Sequence, residues 1–154
     1  MKKLIWIIIL VLVVVGIMKF SGGDKTPVAS GEVIKIGISL PLTGNSASIG
    51  ERVKNGIDLA LEEVNAKGLW KLSPVYENDK GESASSVSVV NKLISVDGVK
   101  VIIGLLKSDP LLAVAPIVEK NKVVLLSPTA GAASITQAGD YVFRNIETPD
   151  IHGK

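Results

Sequence analysis

The residues that could carry chemistry in this chain are few and scattered. Glu77, Asp79 and Glu82 lie on one polar stretch, and carboxylate oxygens are ligands that divalent cations accept. Because no histidine stands near them, a solvated turn is favoured over a metal cluster. His152 is the sole histidine, and it cannot be matched to a nucleophile. We therefore interpret it as an exposed tail residue. Without a Ser-His-Asp set or a paired-carboxylate site, the sequence does not indicate an enzyme.

Ser108 is the most informative polar residue. It follows a buried apolar run and precedes Asp109-Pro110, a pattern that predicts a helix start with a capping hydroxyl. The free N–H groups of a first helical turn also make a carboxylate site, so a plain N-cap and a ligand contact both stay open. Thr129 follows Ser127-Pro128 after the next apolar run. Its carbonyl and hydroxyl could face the same crevice, although by itself it is an ordinary loop threonine.

The composition excludes several classes of protein. The chain has 154 residues and no cysteine, which rules out a disulfide scaffold, a zinc ribbon, a thiol nucleophile and an acylated-cysteine anchor. Lys2, Lys3 and Lys19 lie in an N-terminal stretch that contains no acidic residue. When these three lysines are left out, 14 of the 17 basic residues remain, compared with 15 acidic residues. This balance leaves no basic patch, so no nucleic-acid partner is predicted. The length suits one domain.

Residues 1–20 are predicted to be a leader. Two lysines precede residues 4–18, which are all apolar or glycine. As a helix this run spans roughly 22 Å, short of the roughly 30 Å hydrocarbon core of a bilayer. A cleaved export signal and a retained membrane anchor both stay open, and either places the body in the periplasm or at the cell surface. Residues 21–32, rich in glycine, serine and charge, are predicted to be a flexible tether.

The rest of the chain must position these residues, and it alternates strand and helix patterns. Strands are predicted at 33–40, 71–77, 99–104, 123–126 and 141–144. Helices are predicted at 51–66, 83–96 and from Ser108 onward, with Pro116 marking a kink or a later start. This order predicts an α/β fold with a doubly wound parallel sheet.

In such a sheet, ligands bind beyond the carboxyl ends of the strands. The loops at those ends are 41–50, 78–82, 104–109 and 127–135. Neither a G-x-G-x-x-G nor a G-x-x-x-x-G-K-[ST] motif occurs in them, so nucleotide binding is not indicated. No cofactor is predicted.

Four ordered segments of the body carry a family resemblance. They are IGISLPLTGNSASIGERVKNGIDLALEEVNAKG (36–68), NDKGESASSVSVVNKLI (78–94), VKVIIGLLKSDPLLAVAPIVEKNKVVLLSPTAGAASIT (99–136) and YVFRNIETPD (141–150). Together they resemble the N-terminal lobe of type I periplasmic substrate-binding proteins of ABC importers, in the group that binds branched-chain amino acids. The resemblance implies a receptor whose two lobes close by a hinge over an amino acid-like ligand and deliver it to a membrane permease.

The resemblance also implies a ligand site. Ser108 and the amides behind it would bind the ligand carboxylate, while the Thr129 carbonyl and a hydroxyl at position 131 would bind an ammonium. In this sequence position 131 is Gly131, Lys107 stands beside the carboxylate site, and Ile49 lies near the usual first-loop aromatic. These departures permit an altered ligand, such as an amide, a small acid or another polar solute. The implied ligand-binding residues are Ile49, Leu106, Lys107, Ser108, Thr129 and Gly131.

Length is the largest departure from the resemblance. Such proteins continue into a second α/β lobe, so residues 33–154 are expected to be a first lobe without its second. Micromolar affinity needs about 8 kcal/mol, which an open half-site cannot supply. We therefore expect the chain alone to bind amino acids no better than millimolar. The alternatives are the sensor lobe of a membrane-tethered signalling receptor, a stand-alone one-lobe module and a non-binding truncated fragment.

Overall fold

The computed structural model describes residues 33–147. The leader at 1–20, the linker at 21–32 and His152 lie outside these described residues. Among residues 33–147, no helix combines the length and the apolar character that crossing a membrane requires.

Strands and helices alternate along the described chain. The strands are β1 (Val33–Leu40), β2 (Lys71–Asn78), β3 (Val101–Gly104), β4 (Val124–Ser127) and β5 (Val142–Arg144). The helices are α1 (Ala47–Ala66), α2 (Ser83–Ser95) and α3 (Ser108–Asn121), and a short 3-10 helix covers Ala133–Gln137. The alternation predicted from the sequence is confirmed.

Two helix starts test the sequence-based boundaries. α1 begins at Ala47, four residues before the predicted start at 51. Its first turn is closed by the backbone, since the Gly50 N–H donates to the Ser46 carbonyl at 3.0 Å, and that turn lacks the apolar spacing by which the helix was identified. α3 begins at Ser108 and continues through Pro116. The later start that Pro116 allowed is therefore wrong.

The sheet has the strand order β2-β1-β3-β4-β5, and every neighbouring pair is parallel. Pro74 lies in β2, at one edge of the sheet. An edge strand tolerates proline because one of its sides makes no ladder hydrogen bonds. The parallel arrangement predicted from the sequence is confirmed. It brings the carboxyl ends of all five strands to the same end of the sheet, which we term the carboxyl edge.

The helices cover both faces of this sheet. α2 and α3 enclose a buried cluster on one face that includes Val90, Leu93, Ile102, Val114 and Leu125. α1 covers the other face through a smaller cluster of Ile36, Ile38, Leu40 and Leu61. Because side chains alternate along a strand, Ile102 of β3 faces the first cluster while Val101 and Ile103 pack against the second. The α/β fold class is confirmed.

Candidate functional site

A crevice opens at the carboxyl edge of the sheet between β1 and β3. The helices that follow these strands, α1 and α3, lie on opposite faces, and such a switch in strand order leaves room for a ligand. The two strand ends approach closely, because a Cβ on Gly104 (φ +135°) would lie 1.9 Å from the Ser39 carbonyl oxygen. The Leu105 N–H donates to that oxygen at 2.9 Å. The loop after β3 therefore starts directly against β1.

An apolar depression of about 300 Å³ lies in this crevice. It is lined by Pro41, Ser46, Ile49, Leu106, Lys107 and Thr129. Four of the residues singled out in the sequence therefore come together, although they lie on α1 and on two loops far apart in the chain. Ser108 and Gly131 are not among the residues that line it.

The Ser108 hydroxyl braces a neighbouring loop. Its Oγ accepts a hydrogen bond from the Ala132 N–H at 3.1 Å. The N-cap of α3 is Lys107, whose side chain makes no capping hydrogen bond. The expected capping hydroxyl is therefore wrong, because Ser108 is already the first helical residue and a capping side chain must belong to the residue before it.

Two further hydroxyls join the loops that follow β3 and β4. Thr129 Oγ1 donates to the Leu106 carbonyl at 2.8 Å, and Ser127 Oγ donates to the Leu105 carbonyl at 2.9 Å. Ser127 Oγ also accepts from the Ala130 N–H at 3.2 Å. The two loops thus form one hydrogen-bonded unit, and the hydroxyl proton of Thr129 is engaged within it.

Gly131 lies on the same unit and faces open space. An added Cβ would meet no atom of residues 33–147 within 4 Å, so no close contact with these residues requires a glycine at this position. Arg144, at the end of β5, holds this loop by donating to the Ala132 carbonyl at 2.7 Å and to Thr136 Oγ1. Sequence reasoning missed Arg144, whose only signal is a charge at the end of a short predicted strand.

A second, polar depression of about 360 Å³ adjoins the first. The two share Ser46 and Lys107, and the polar one adds Lys80, Glu82 and residues 43–45 among its lining groups. The Lys107 side chain lies across the turn after β2, since a Cβ on Gly81 would be 3.0 Å from Nζ. Neither Lys80 nor Lys107 forms a salt bridge with a carboxylate in the part of the chain that the structure describes.

Asp79 lies beneath this turn and is buried. The residue is 1% exposed, and its carboxylate accepts hydrogen bonds from Ser39 Oγ at 2.9 Å and from the Gly81 N–H at 2.8 Å. Burial raises the pKa of Asp79, against the lowering effect of these hydrogen bonds and of the Lys107 charge. The expected solvated turn is wrong at Asp79, because β1 places Ser39 beside it. Glu82 is exposed, and no group of three potential metal ligands occurs in residues 33–147.

The sequence is similar to a known group of binding proteins. Residues 33–154 match the family model described as periplasmic binding protein. The Leu/Ile/Val-binding protein BraC3 of Rhizobium johnstonii is 37% identical over 109 residues, which cover 69% of this chain and 29% of that protein. The leucine-, isoleucine-, valine-, threonine-, and alanine-binding protein of Pseudomonas aeruginosa is 31% identical over 126 residues, 79% of this chain and 34% of its own.

Solved structures have the same fold. The branched-chain amino acid transporter substrate binding protein LivJ from Streptococcus pneumoniae, in complex with isoleucine, matches with a TM-score of 0.73 at 29% identity, over 76% of this chain and 34% of that one. A solute binding protein of an ABC transporter from Rhodopseudomonas palustris, in complex with 3,4-dihydroxy benzoic acid, matches with a TM-score of 0.70 at 29% identity. This match covers 75% of this chain and 32% of that one. The chain spans about a third of the length of these relatives.

Proposed function

The chain belongs to the periplasmic binding protein family, and from that premise we propose that it is the first lobe of an extracytoplasmic solute receptor that serves an ABC importer. The observation that carries the proposal is the convergence of Ile49, Leu106, Lys107 and Thr129 on one depression at the carboxyl edge of the sheet. The names of the relatives support branched-chain amino acids and aromatic acids as the range of solutes to test.

The depression gives such a solute one wall of a binding cleft. Its apolar body would pack on Pro41, Ile49 and Leu106. A carboxylate would lie at the start of α3, where the N-cap residue Lys107 makes no side-chain cap and free N–H groups attract an anion. The Ser108 and Thr129 hydroxyls hold the two loops in place before any ligand arrives, which lowers the ordering cost of binding. A second lobe would close over the solute by a hinge.

The proposal also places this lobe outside the cytoplasm. The two lysines before the apolar run at 4–18 support export through a leader that is either cleaved or kept as an anchor. Replacing Val13 and Val14 by aspartate should interrupt the run and leave the protein in the cytoplasmic fraction. Unchanged export of this variant would contradict an export role for the leader.

The test of binding is a titration of the isotope-labelled full chain, followed by amide chemical shifts. Isoleucine and 3,4-dihydroxybenzoate serve as probes. We expect shifts at the amides of Ile49, Leu106 and Thr129, with dissociation constants no tighter than millimolar because one open wall supplies little of the binding energy. Amides at the opposite edge of the sheet, such as that of Lys100, should not move.

A matched pair of variants on α1 makes the test specific. Ile49 lines the depression, whereas Leu59 is an exposed leucine of the same helix outside it. Ile49→Ala should weaken binding roughly threefold to tenfold through lost apolar contact, while Leu59→Ala should leave it unchanged. Equal effects of the two substitutions, or shifts confined to other surfaces, would contradict the proposed site.

A further inference from the structure

We infer that this cleft selects organic acids of net negative charge over zwitterionic amino acids, with Lys107 and Lys80 as the residues that read the charge. The inference rests on the proposed function, since it names the ligand class of the same cleft. The observations that carry it are the position of Lys107 in both depressions and the surplus of positive charge there.

The charged groups around the two depressions are unevenly matched. Among residues 33–147, Lys107 is the one charged residue that lines the apolar depression. The polar depression adds Lys80 and Glu82, so the described lining residues carry two positive charges and one negative charge. A ligand ammonium in the apolar depression would therefore meet a lysine and no lining carboxylate. Repulsion of this kind discriminates between ligands as effectively as a new attraction does.

The nearby acids do not cancel the Lys107 charge by direct pairing. Asp79 already accepts hydrogen bonds from Ser39 and Gly81, and its attraction to Lys107 acts without a salt bridge. Glu82 accepts from the Ser85 hydroxyl at 3.3 Å and forms no salt bridge among the described residues. The exposed Lys107 ammonium consequently keeps donor capacity for a ligand in the cleft.

The adjoining walls also define the shape of the preferred ligand. Its apolar body occupies the depression of about 300 Å³ next to Ile49 and Leu106. Its anionic end lies beside Lys107 at the start of α3 and extends into the polar depression of about 360 Å³ toward Lys80. There Thr43 Oγ1 accepts from Asn78 Nδ2 at 2.7 Å, which leaves its own hydroxyl proton for an anion. The ligand class is thus a mono- or dicarboxylate with a branched or cyclic apolar body.

The test uses four probes that share one branched apolar body and differ in charge. Isobutylmalonate carries two negative charges, 4-methylpentanoate one, leucine none in total, and 3-methylbutylamine one positive charge. The full chain is titrated with each probe at neutral pH, and amide shifts of Ile49, Leu106 and Lys107 are followed. We expect affinity to fall in that order, with isobutylmalonate bound roughly fivefold or more tightly than leucine. Raising the salt to about 0.5 M should narrow this difference.

Lysine variants assign the charge effect to its residues. Lys107→Met and Lys80→Met should each weaken isobutylmalonate binding severalfold and leave leucine binding nearly unchanged, whereas Lys107→Arg should retain the preference. Lys100→Met is the matched control, because Lys100 lies at the opposite edge of the sheet and should not matter. Thermal unfolding reports whether each variant folds. If Lys107→Met fails to fold, Lys107→Arg and Lys80→Met still decide the result.

The possible outcomes separate this inference from the proposed function. Leucine bound as tightly as isobutylmalonate, or a preference unaffected by both lysine-to-methionine variants, would overturn the inference while leaving a solute cleft in place. If none of the four probes moved the cleft amides, the proposed function and the inference would both be wrong. The expected charge order, lost in Lys107→Met and kept in Lys100→Met, would support the inference.

Discussion

At the scale of single residues, the cleft edge depends on side chains whose polar atoms are already paired within the protein. Asp79 is buried under the turn that Lys107 covers, and it connects β1 with this turn through Ser39 and Gly81. A buried carboxylate is costly unless hydrogen bonds satisfy it, and here a side-chain hydroxyl and a backbone N–H both do so. Asp79 is therefore a structural support of the polar depression rather than a free acid.

The raised pKa of Asp79 predicts a pH-dependent stability. Burial lifts this pKa above its ordinary value of 3.8. A carboxyl whose pKa is higher in the folded chain favours folding while it is protonated, and this contribution is lost as the pH rises through the raised pKa. Asp79→Asn removes this titrating carboxyl. The free energy of unfolding of the variant minus that of the natural chain should therefore increase as the pH rises from about 3.5 to 7.

Urea unfolding of both proteins across this pH range measures the effect. Asp140→Asn, which replaces an exposed carboxylate, serves as the control for the change of charge. A difference for Asp79→Asn that stayed constant across this pH range would contradict a raised pKa of Asp79.

Gly131 provides a second prediction at the residue scale. Because its surroundings are open, Gly131→Ser should change the free energy of unfolding by less than about 0.5 kcal/mol. The new hydroxyl could accept a hydrogen bond from a ligand ammonium, so leucine binding should improve about twofold to tenfold relative to 4-methylpentanoate. Amide-shift titrations measure the ratio, with Gly131→Ala as the control without a hydroxyl. The same ratio in both variants would contradict a role of position 131 in ammonium binding.

At the scale of elements, local pattern located the strands and helices better than it located their ends. Val33–Leu40 was predicted with the bounds that the structure has, because a run rich in β-branched residues ends there at a proline. The first turn of α1 and the 3-10 helix Ala133–Gln137 lack such periodicity, so neither could be identified. Both are held by backbone hydrogen bonds within their loops.

For the candidate site, the sequence predicted which residues come together but not all of their hydrogen-bond partners. Ile49, Leu106, Lys107 and Thr129 converge because parallel strands end at one edge, which the element order already implied. The partners of Ser108 and Asp79 could not be predicted, since both are set by tertiary contacts, with Ala132 and Ser39 respectively.

Two glycines of α1 give a prediction about how this helix docks. A Cβ on Gly50 would lie 2.1 Å from the Pro41 carbonyl oxygen, whereas a Cβ on Gly56 would meet no described residue within 4 Å. Gly50→Ala should therefore destabilise the protein by about 1–3 kcal/mol through overpacking. Gly56→Ala should stabilise it by about 0.5–1 kcal/mol, because alanine is the better helix former.

Chemical denaturation measures both glycine variants in parallel. Opposite signs would establish that α1 needs a glycine only where it meets the loop after β1. Destabilisation of similar size in both would contradict the close contact between Gly50 and Pro41.

At the scale of the whole molecule, the two faces of the sheet are unequally supported. The cluster beneath α2 and α3 holds thirteen buried residues, whereas the cluster beneath α1 holds four. Within α1 the buried positions are Gly50 and Leu61, and Leu59 of the same helix is exposed. Since apolar burial supplies most of the stability of a domain, α1 is the element expected to open first.

This asymmetry predicts two levels of protection against hydrogen exchange. Amides in the middle of α1 should exchange through a local opening, at least about tenfold faster than those of α3, which should exchange only on global unfolding. Leu61→Ala should accelerate exchange in α1 and leave exchange in α3 nearly unchanged. Leu93→Ala, in the larger cluster, should lower global stability by about 2–5 kcal/mol and accelerate exchange in both helices.

Equal protection of α1 and α3 in the natural chain would mean that the sheet and its three helices unfold as one unit. In that case the wall of the cleft that α1 contributes through Ile49, together with its N-cap Ser46, would be as rigid as the core.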